Sequence, residues 1–492
     1  MVTVKRVNND SKKKRNKLIL LLKIAIVAWT VVSTVLNFII TPEHFEAHES
    51  DNHDLLKHEV PANPIHSQGE PMKVAYAVSF IKCGDFQTHA AGLVDASLVL
   101  RHSIHKISSR NPESGSKYDY KMYAIVHKQA EECSGQIRNM GFEVVVVDQP
   151  LDRSEIKGDY LRKHIQREWC CGESEFIKLF AYTLPEEIIV HVDIDFAFYK
   201  PMDHLFDAIL YDKDSEEGKK ARSMLELERP GERLPDKIGA FLTKDWPQVA
   251  PGKFPAAYQA GFLVARRDPS VMEEALNVVR EGNYTDGWGY GTGWHGSGHG
   301  GYVGAMAMQG LIAYYYDFVR KDAVELNQCR YNHMGMDVLY RTHPNFNPKR
   351  LKDKVGKCRN GLEYCEDCHV TDFDKIYSVH YTMCRKPWQC ISETSESGRN
   401  SKGQKGRAIP VPMMNKDHCY ELIHHWHDLR SDFEKKLFAL TGDTTILEGS
   451  KYEHMKDIFH GHCKEEGNEG YAVITAKNET LYRIHELYEV KQ

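Results

Sequence analysis

Residues 188–195 read Ile188-Ile189-Val190-His191-Val192-Asp193-Ile194-Asp195, an apolar run of β-branched residues that ends in two aspartates one residue apart. Such a run is the signature of a buried strand. Working back, Phe176 to Leu184 reads as a helix, and Val74-Ala75-Tyr76-Ala77-Val78-Ser79-Phe80 as another buried strand. Between them, Leu93, Ala96, Leu100 and Ile104 recur at helical spacing over 89–107, Tyr120 to Val126 is apolar, 129–139 is helical up to the stop at Gly141, and Phe142 to Val147 is apolar again. Strand–helix–strand–helix–strand is the order of a parallel sheet of Rossmann type, with residues 188–192 as its fourth strand. In such sheets ligands gather outside the carboxyl ends of the strands, where Asp193 and Asp195 fall.

Working forward, residues 211–253 are polar and rich in Glu, Lys and Pro, an expected excursion over the surface. Ala256 to Val264 and Tyr314 to Val319 return to apolar character. Residues 283–301 are dense in glycine and carry Trp288, Trp294, His295 and His299, which reads as a long loop near a site or an exposed hairpin. A Ser-, Gly- and Lys-rich linker or mobile loop is expected at 391–410, and a helical extension at 411–492, where Leu422, Trp426, Leu429, Phe433 and Leu437 form one amphipathic face.

The 492 residues hold 64 Lys plus Arg against 69 Asp plus Glu, a net charge of −5 that excludes a general nucleic-acid binder. Hydrophobic residues at 41% and charged residues at 27% exclude a disordered chain and a multi-span membrane protein. Seven basic residues between Lys5 and Lys17 form a tail (1–17), followed by an apolar run from Leu18 to Ile40 interrupted by Lys23 and Asn37. As a helix that run extends about 34 Å, enough for a bilayer core of about 30 Å. The positive-inside rule keeps the tail cytosolic. A cleaved signal peptide is the alternative, and Thr41-Pro42-Glu43 is a poor cleavage site for it. The expectation is therefore a single-pass type II protein of the Golgi or ER membrane. It has a stem at 41–72 and a lumenal head from residue 73. In the lumen Asn283-Tyr284-Thr285 and Asn478-Glu479-Thr480 become glycan acceptors.

Asp-x-Asp occurs at 193/195, at 212/214 and at 372/374. Asp212/Asp214 follows no strand and Asp372/Asp374 precedes one; only Asp193/Asp195 closes a buried strand. Two carboxylates there suit a hard divalent cation, which in turn grips a diphosphate. His380 closes the strand Ile376-Tyr377-Ser378-Val379, and Lys386 follows six residues later, a point charge for a phosphate.

Together these segments resemble glycosyltransferase family 8, which includes glycogenin. The resemblance runs through the helix Ile177-Lys178-Leu179-Phe180, the strand ending at Asp193-Ile194-Asp195, and Lys200-Pro201-Met202-Asp203-His204-Leu205-Phe206-Asp207. It continues in Tyr258-Gln259-Ala260-Gly261 and in His380-Tyr381-Thr382-Met383-Cys384-Arg385-Lys386-Pro387-Trp388, over residues 73–390. The resemblance implies an α/β GT-A fold, with a mixed, mainly parallel sheet and flanking helices, and a retaining hexosyltransferase. It implies a UDP-sugar donor with Mn²⁺ and a glycan, protein or lipid acceptor. On it Asp193, Asp195 and His380 are the metal ligands. Lys386 holds the diphosphate and Lys178 lies by the donor. Ala77, Val78 and Ser79 border the uridine, Gly261 lies on the donor side, and Gln309 is a catalytic candidate. Three positions depart from the family pattern: Met383 stands for a glycine, Gln259 for an asparagine, and Met308-Gln309-Gly310 for Asp-Gln-Gly. Either another acid, such as Asp286, takes the place left by Met308, or none is needed.

Cys358, Cys365, Cys368 and His369 offer a zinc set, but a lumenal location favours disulfides, and Cys170 and Cys171 are expected to bridge elsewhere than to each other. His424, His425 and His427 read as solvated. Two other functions compete with the transferase. One is a non-catalytic lumenal carbohydrate-binding or scaffold protein on a degenerate transferase fold. The other is a metal-dependent hydrolase of nucleotide sugars.

Overall fold

The structure is a computed structural model that describes residues 70–83, 90–168, 171–228, 233–245, 257–287, 289–336, 366–388, 391–392, 415–449, 459–460, 471–477, 479–480 and 483–488. The expected tail, anchor, residues 41–69 of the stem and the 393–410 linker lie outside these residues, as does Asn478. Among the described residues no helix is long and apolar enough to cross a membrane.

The expected strands form as β1 (Lys73–Phe80), β2 (Asp119–His127), β3 (Glu143–Val147) and β4 (Ile188–Val192). They lie parallel in the order β4-β1-β2-β3. Helix α1 (Ala90–Lys106) makes the first crossover. Beyond β4 the sheet continues through β7 (Phe262–Arg266), antiparallel to β4, and β6 (Ala240–Leu242), to β10 (Ala323–Glu325), parallel to β6. The mixed, mainly parallel sheet with flanking helices that the sequence leads one to expect is therefore present. Strand order reverses between β1 and β4, which opens a crevice at the ends of those two strands.

Two expectations are corrected here. The polar stretch 211–253 is not all surface, because Ala240, Phe241 and Leu242 are fully buried in the sheet as β6. Three apolar residues between polar flanks are too few to show a period. The helix expected at 176–184 runs over Gly172–Thr183 with 3₁₀ rather than α hydrogen bonding. That puts side chains three apart directly over one another.

The glycine-rich segment is a hairpin, β8 (Tyr284–Thr285) with β9 (Gly293–Trp294), and it is tied inward rather than free. Trp294 is fully buried and its indole N–H donates to the Ala305 carbonyl at 2.7 Å, while His299 pairs with Asp317 at 3.0 Å. Helix α2 spans Met308–Tyr314, and the C-terminal amphipathic helix is α3 (Lys416–Thr441). Asn415 caps it, accepting from the backbone of Asp417 and His418. Leu422, Trp426, Phe433 and Leu437 are fully buried, and His427, expected to be solvated, is buried as well, donating to the Pro387 carbonyl at 3.1 Å. Residues from 67 onward form one compact unit, so the extension belongs to the head.

Several buried or half-buried histidines are expected to make this fold acid-sensitive. Burial pushes His105, His191 and His333 down to about 3, and His204 and His380 down to about 4. In the unfolded chain each takes up its proton near 6.5. Stability present above pH 6.5 is therefore lost as pH falls toward 4, by up to about 1.4 kcal/mol per pH unit for each histidine that stays neutral when folded. Urea unfolding of the metal-free protein is expected to show a falling midpoint from pH 7 to pH 5. A midpoint independent of pH over that window would contradict it.

Candidate active site

The site begins where β4 stops. Asp193 leaves the sheet with its backbone N–H on the Gly261 carbonyl (3.1 Å), and the chain turns through Ile194 and Asp195 into β5 (Phe196–Phe198). That short strand pairs antiparallel with β11 (Ser378–His380), with His380 opposite Phe196, and the Tyr381 N–H on the Asp195 carbonyl extends the pairing. Sheet register thus delivers the imidazole to the two aspartates from a distant part of the sequence.

Ligand atoms of Asp193, Asp195 and His380 lie within 4.8 Å of one another. His380 Nε2 is 3.4 Å from Asp195 Oδ2 and 3.9 Å from Asp193 Oδ2. Its other nitrogen, Nδ1, donates to the Asn332 side-chain oxygen at 3.0 Å, so the lone pair on Nε2 faces the carboxylates. Asn332 is held in turn by its own amide, which donates to Thr243 Oγ1 at 2.7 Å. Burial keeps His380 neutral, against the pull of Asp193. Burial would raise Asp193, but Lys178 and then His380 outweigh it and hold its carboxyl well below the usual range. A neutral imidazole beside two carboxyl groups is a fitting donor set for a divalent cation that accepts both oxygen and nitrogen. The floor of the cradle is Gly261, where a Cβ would come within 2.6 Å of both Asp193 Oδ2 and His380 Cε1. Only a residue without a side chain leaves that space open.

Two lysines flank the triad. Lys178 Nζ donates to Asp193 Oδ1 at 2.8 Å, and Lys386 Nζ donates to Asp195 Oδ2. Burial lowers the Lys386 ammonium to about 8, with Asp193 opposing. The loop bearing it is pinned on both sides. Cys384 is disulfide-bonded to Cys419 of α3, and Trp388 packs on Trp426 and against Gly92 of α1, where no Cβ would fit.

No protein-family model matches the chain, and no curated protein matches it either. Solved structures do. The bifunctional glycosyltransferase WbbM in its apo form is 12% identical over 73% of this chain, at a TM-score of 0.34. The chain spans about half the length of WbbM, 50% of it being covered. Mouse xyloside xylosyltransferase 1 is 10% identical over 63% of this chain and 97% of its own, at 0.32. The galactosyltransferase LgtC, in complex with donor and acceptor sugar analogues, is 11% identical over 73% of this chain and 96% of its own, at 0.34.

The remaining expected residues divide. Gln309 sits at the start of α2 and its amide donates to Asp245 Oδ2 at 3.0 Å. Ser79, next to last in β1, has its hydroxyl 2.8 Å from His191 Nε2 of β4, at the crevice. Ala77 and Val78 place their side chains in the core, so only their main chain is left for a ligand. Asp286 does not fill the place left by Met308: it is exposed, with its carboxylate taken by the Gly287 N–H (2.9 Å) and by Tyr160. The acid bonded to Gln309 is Asp245, and the one bonded to the Met308 backbone is Glu175. The zinc set fails because Cys368 is disulfide-bonded to Cys329; Cys358 and Cys365 lie outside the described residues. Cys171 is also disulfide-bonded. Asn332, Asp245 and Glu175 escaped the sequence reading. None sits in a motif, and each reaches the site through packing between elements distant in sequence.

Proposed function

We propose that this chain is a membrane-anchored glycosyltransferase that moves a sugar from a UDP-sugar donor to an acceptor hydroxyl, with retention at the anomeric carbon and with Mn²⁺ bound at Asp193, Asp195 and His380. The observation that carries the reading is the triad itself: two carboxylates and a neutral imidazole at the carboxyl edge of the sheet, with a lysine on each side. A bound divalent cation would supply Lewis-acid stabilisation of the departing diphosphate. Lys386 meets the phosphate oxygens on which charge grows as the glycosidic bond breaks. Lys178 keeps Asp193 ionised as a ligand. Asp245 orients Gln309, whose amide then faces the donor in one fixed pose. Ser79, at the mouth of the crevice, is placed to border the base.

The direct test is turnover by residues 67–492 with a panel of UDP- and GDP-sugars and Mn²⁺. Sugar transfer from a UDP-sugar, abolished by chelator, is the expected result. Release of free sugar regardless of acceptor would favour a hydrolase. Carbohydrate binding with no turnover would favour a lectin.

We place the head in the lumen of the secretory pathway, anchored through 18–40 in type II orientation. Disulfides Cys83–Cys133, Cys329–Cys368 and Cys384–Cys419 support an oxidising compartment, and Asn283 is exposed as an acceptor asparagine must be. In cells the full chain is expected to lose mass on glycosidase treatment, with part of that shift removed by Asn283→Gln. A head digested by protease added outside sealed microsomes would refute the orientation.

A further inference from the structure

The Asn283 sequon lies at the edge of an exposed aromatic surface. Asn283 and Thr285 are both exposed, and the Asn283 carbonyl accepts from the His295 N–H at 2.8 Å, which ties the two arms of the β8–β9 hairpin together. The side chains meet as well. His295 Nε2 lies 3.4 Å from Glu281 Oε2 and donates toward it, so Nδ1 accepts from the Asn283 amide at 3.3 Å. A glycosylated asparagine keeps one amide hydrogen, so this bond persists with a sugar on the same nitrogen. His295 is held at φ 48°, a region that favours glycine, between Gly293 and Gly296, which share it. An exposed histidine kept there has its ring placed against a backbone preference.

From His295 the aromatic surface continues. Its ring stacks on Tyr314 at 5.0 Å and 5°, and Tyr314 stacks on Phe318 at 5.8 Å and 16°. Near-parallel rings at such spacings are offset, so each leaves part of its face uncovered. Phe318 stands in the π-helical turn Tyr315–Arg320 that follows α2. That turn is fixed: Asp317 is tied inward to His299, and the His299 ring meets Phe318 at 5.8 Å, nearly perpendicular. Phe318 and Val319 are nonetheless 44% exposed each. A contiguous apolar surface open to water and rimmed by polar groups marks a binding face. A pyranose carries C–H bonds on its faces and hydroxyls around its rim, and the C–H face packs on aromatic rings. The first sugar on Asn283 begins one bond from the amide that His295 holds, so this occupant is tethered where the rings start.

We propose that the first sugars of an N-glycan on Asn283 lie along His295, Tyr314 and Phe318 with their C–H faces on the rings, so that the glycan is a packed part of the hairpin and not a free surface chain. This rests on the lumenal placement of the head and adds to it a covalent ligand with a defined seat.

The test starts with occupancy, read by mass spectrometry on the full chain from cells with a secretory pathway. Hydrogen exchange of the β8–β9 amides then probes the hairpin in secreted residues 67–492, with Asn478→Gln leaving one sequon. Thr285→Ala removes the sugar but keeps Asn283 and its bond to His295. It is expected to speed hairpin exchange about 3–10-fold, the size of one aromatic contact. Thr285→Ser keeps the sequon and should match wild type. Phe318→Ser is expected to give a similar increase with the glycan present, and none beyond that of Thr285→Ala when the two are combined. If Phe318→Ser does not fold, His295→Asn tolerates the positive φ, removes the first ring and should act alike. After trimming to one sugar, its ring protons should be shifted upfield by the aromatic rings in NMR spectra. Equal exchange in wild type and Thr285→Ala overturns the inference. So does an effect of Thr285→Ala that persists in full on the Phe318→Ser background, which would make the glycan a shield by bulk alone. A free acceptor oligosaccharide that saturates Thr285→Ala and is lost on adding Phe318→Ser would also overturn it, since the rings would then serve the acceptor. A full chain unmodified at Asn283 overturns it as well. If the head of that chain is also cleaved by protease outside sealed microsomes, the lumenal placement falls with it; if the head is protected, that placement stands.

Discussion

Asp195→Ala is expected to abolish Mn²⁺-dependent UDP binding while the head stays folded. Asp195 is 5% exposed, and its carboxylate faces both His380 Nε2, at 3.4 Å, and Lys386. Alanine removes one of three ligands from a set whose other members cannot close around a cation. It also leaves Lys386 without its carboxylate partner. That lysine is about one-third exposed and can turn toward water, so the stability cost stays below the 3–5 kcal/mol typical of breaking a fully buried pair. The strand pairing survives because it depends on the Asp195 carbonyl, which accepts from Tyr381 N–H at 2.8 Å, and not on the side chain. Calorimetry with and without Mn²⁺, beside circular dichroism, checks both halves. Asp212→Ala and Asp372→Ala, at exposed turns, serve as controls with full binding expected. Metal-dependent binding that persisted in Asp195→Ala would show that the cation site lies elsewhere.

Lys386→Ala should lower kcat about 10²–10³-fold, the equivalent of roughly 3–4 kcal/mol of transition-state stabilisation, with a much smaller change in donor affinity. The reason is aim. Pro387 fixes its own φ, and its carbonyl is bonded to His427; Trp388, 9% exposed, is packed on Trp426. The ammonium therefore starts from a fixed base. A contact that strengthens as charge moves onto the leaving phosphate acts on kcat more than on binding. Single-turnover rates with a confirmed donor separate the two effects. If Lys386→Ala turned over at the wild-type rate, Lys386 would be an ordinary partner of Asp195, and the assignment of the diphosphate end would fail.

What could be read from the chain follows the strength of its local signals. β1 to β4 are unbroken apolar runs with a helical period between them, and a sheet of that order admits ligands at one edge only. Asp193 and Asp195 were legible because they end such a run. His380 and Lys386 were legible through their spacing and the resemblance, since nothing local says that a three-residue strand will pair beside Asp195. β6 is as short, and its burial depends on β7 and β10 on either side. Asn332 acts through a turn at φ 52°, and Asp245 acts from the segment that follows β6. Glu175 became a neighbour of Lys178 because the segment adopted a three-residue turn. Pairing of the cysteines is likewise a property of the folded chain: Cys368 bonds to Cys329, 39 residues away, and not to its near neighbours.

The route by which His380 and Lys386 meet the aspartates has a consequence during biosynthesis. Lys386 and Asp195 are 191 residues apart in sequence, and the crosslink that pins the lysine loop needs Cys419. At roughly 5–20 residues per second, the ribosome delivers the second half of the cluster about 10–40 seconds after the first. Through that interval the paired acids must stay hydrated, so this edge of the sheet cannot close until the last third of the polypeptide has emerged and been oxidised. A shortened chain that stops near residue 390 would retain β1 to β11 and still be caught in that open intermediate, a substrate for chaperones rather than a smaller enzyme.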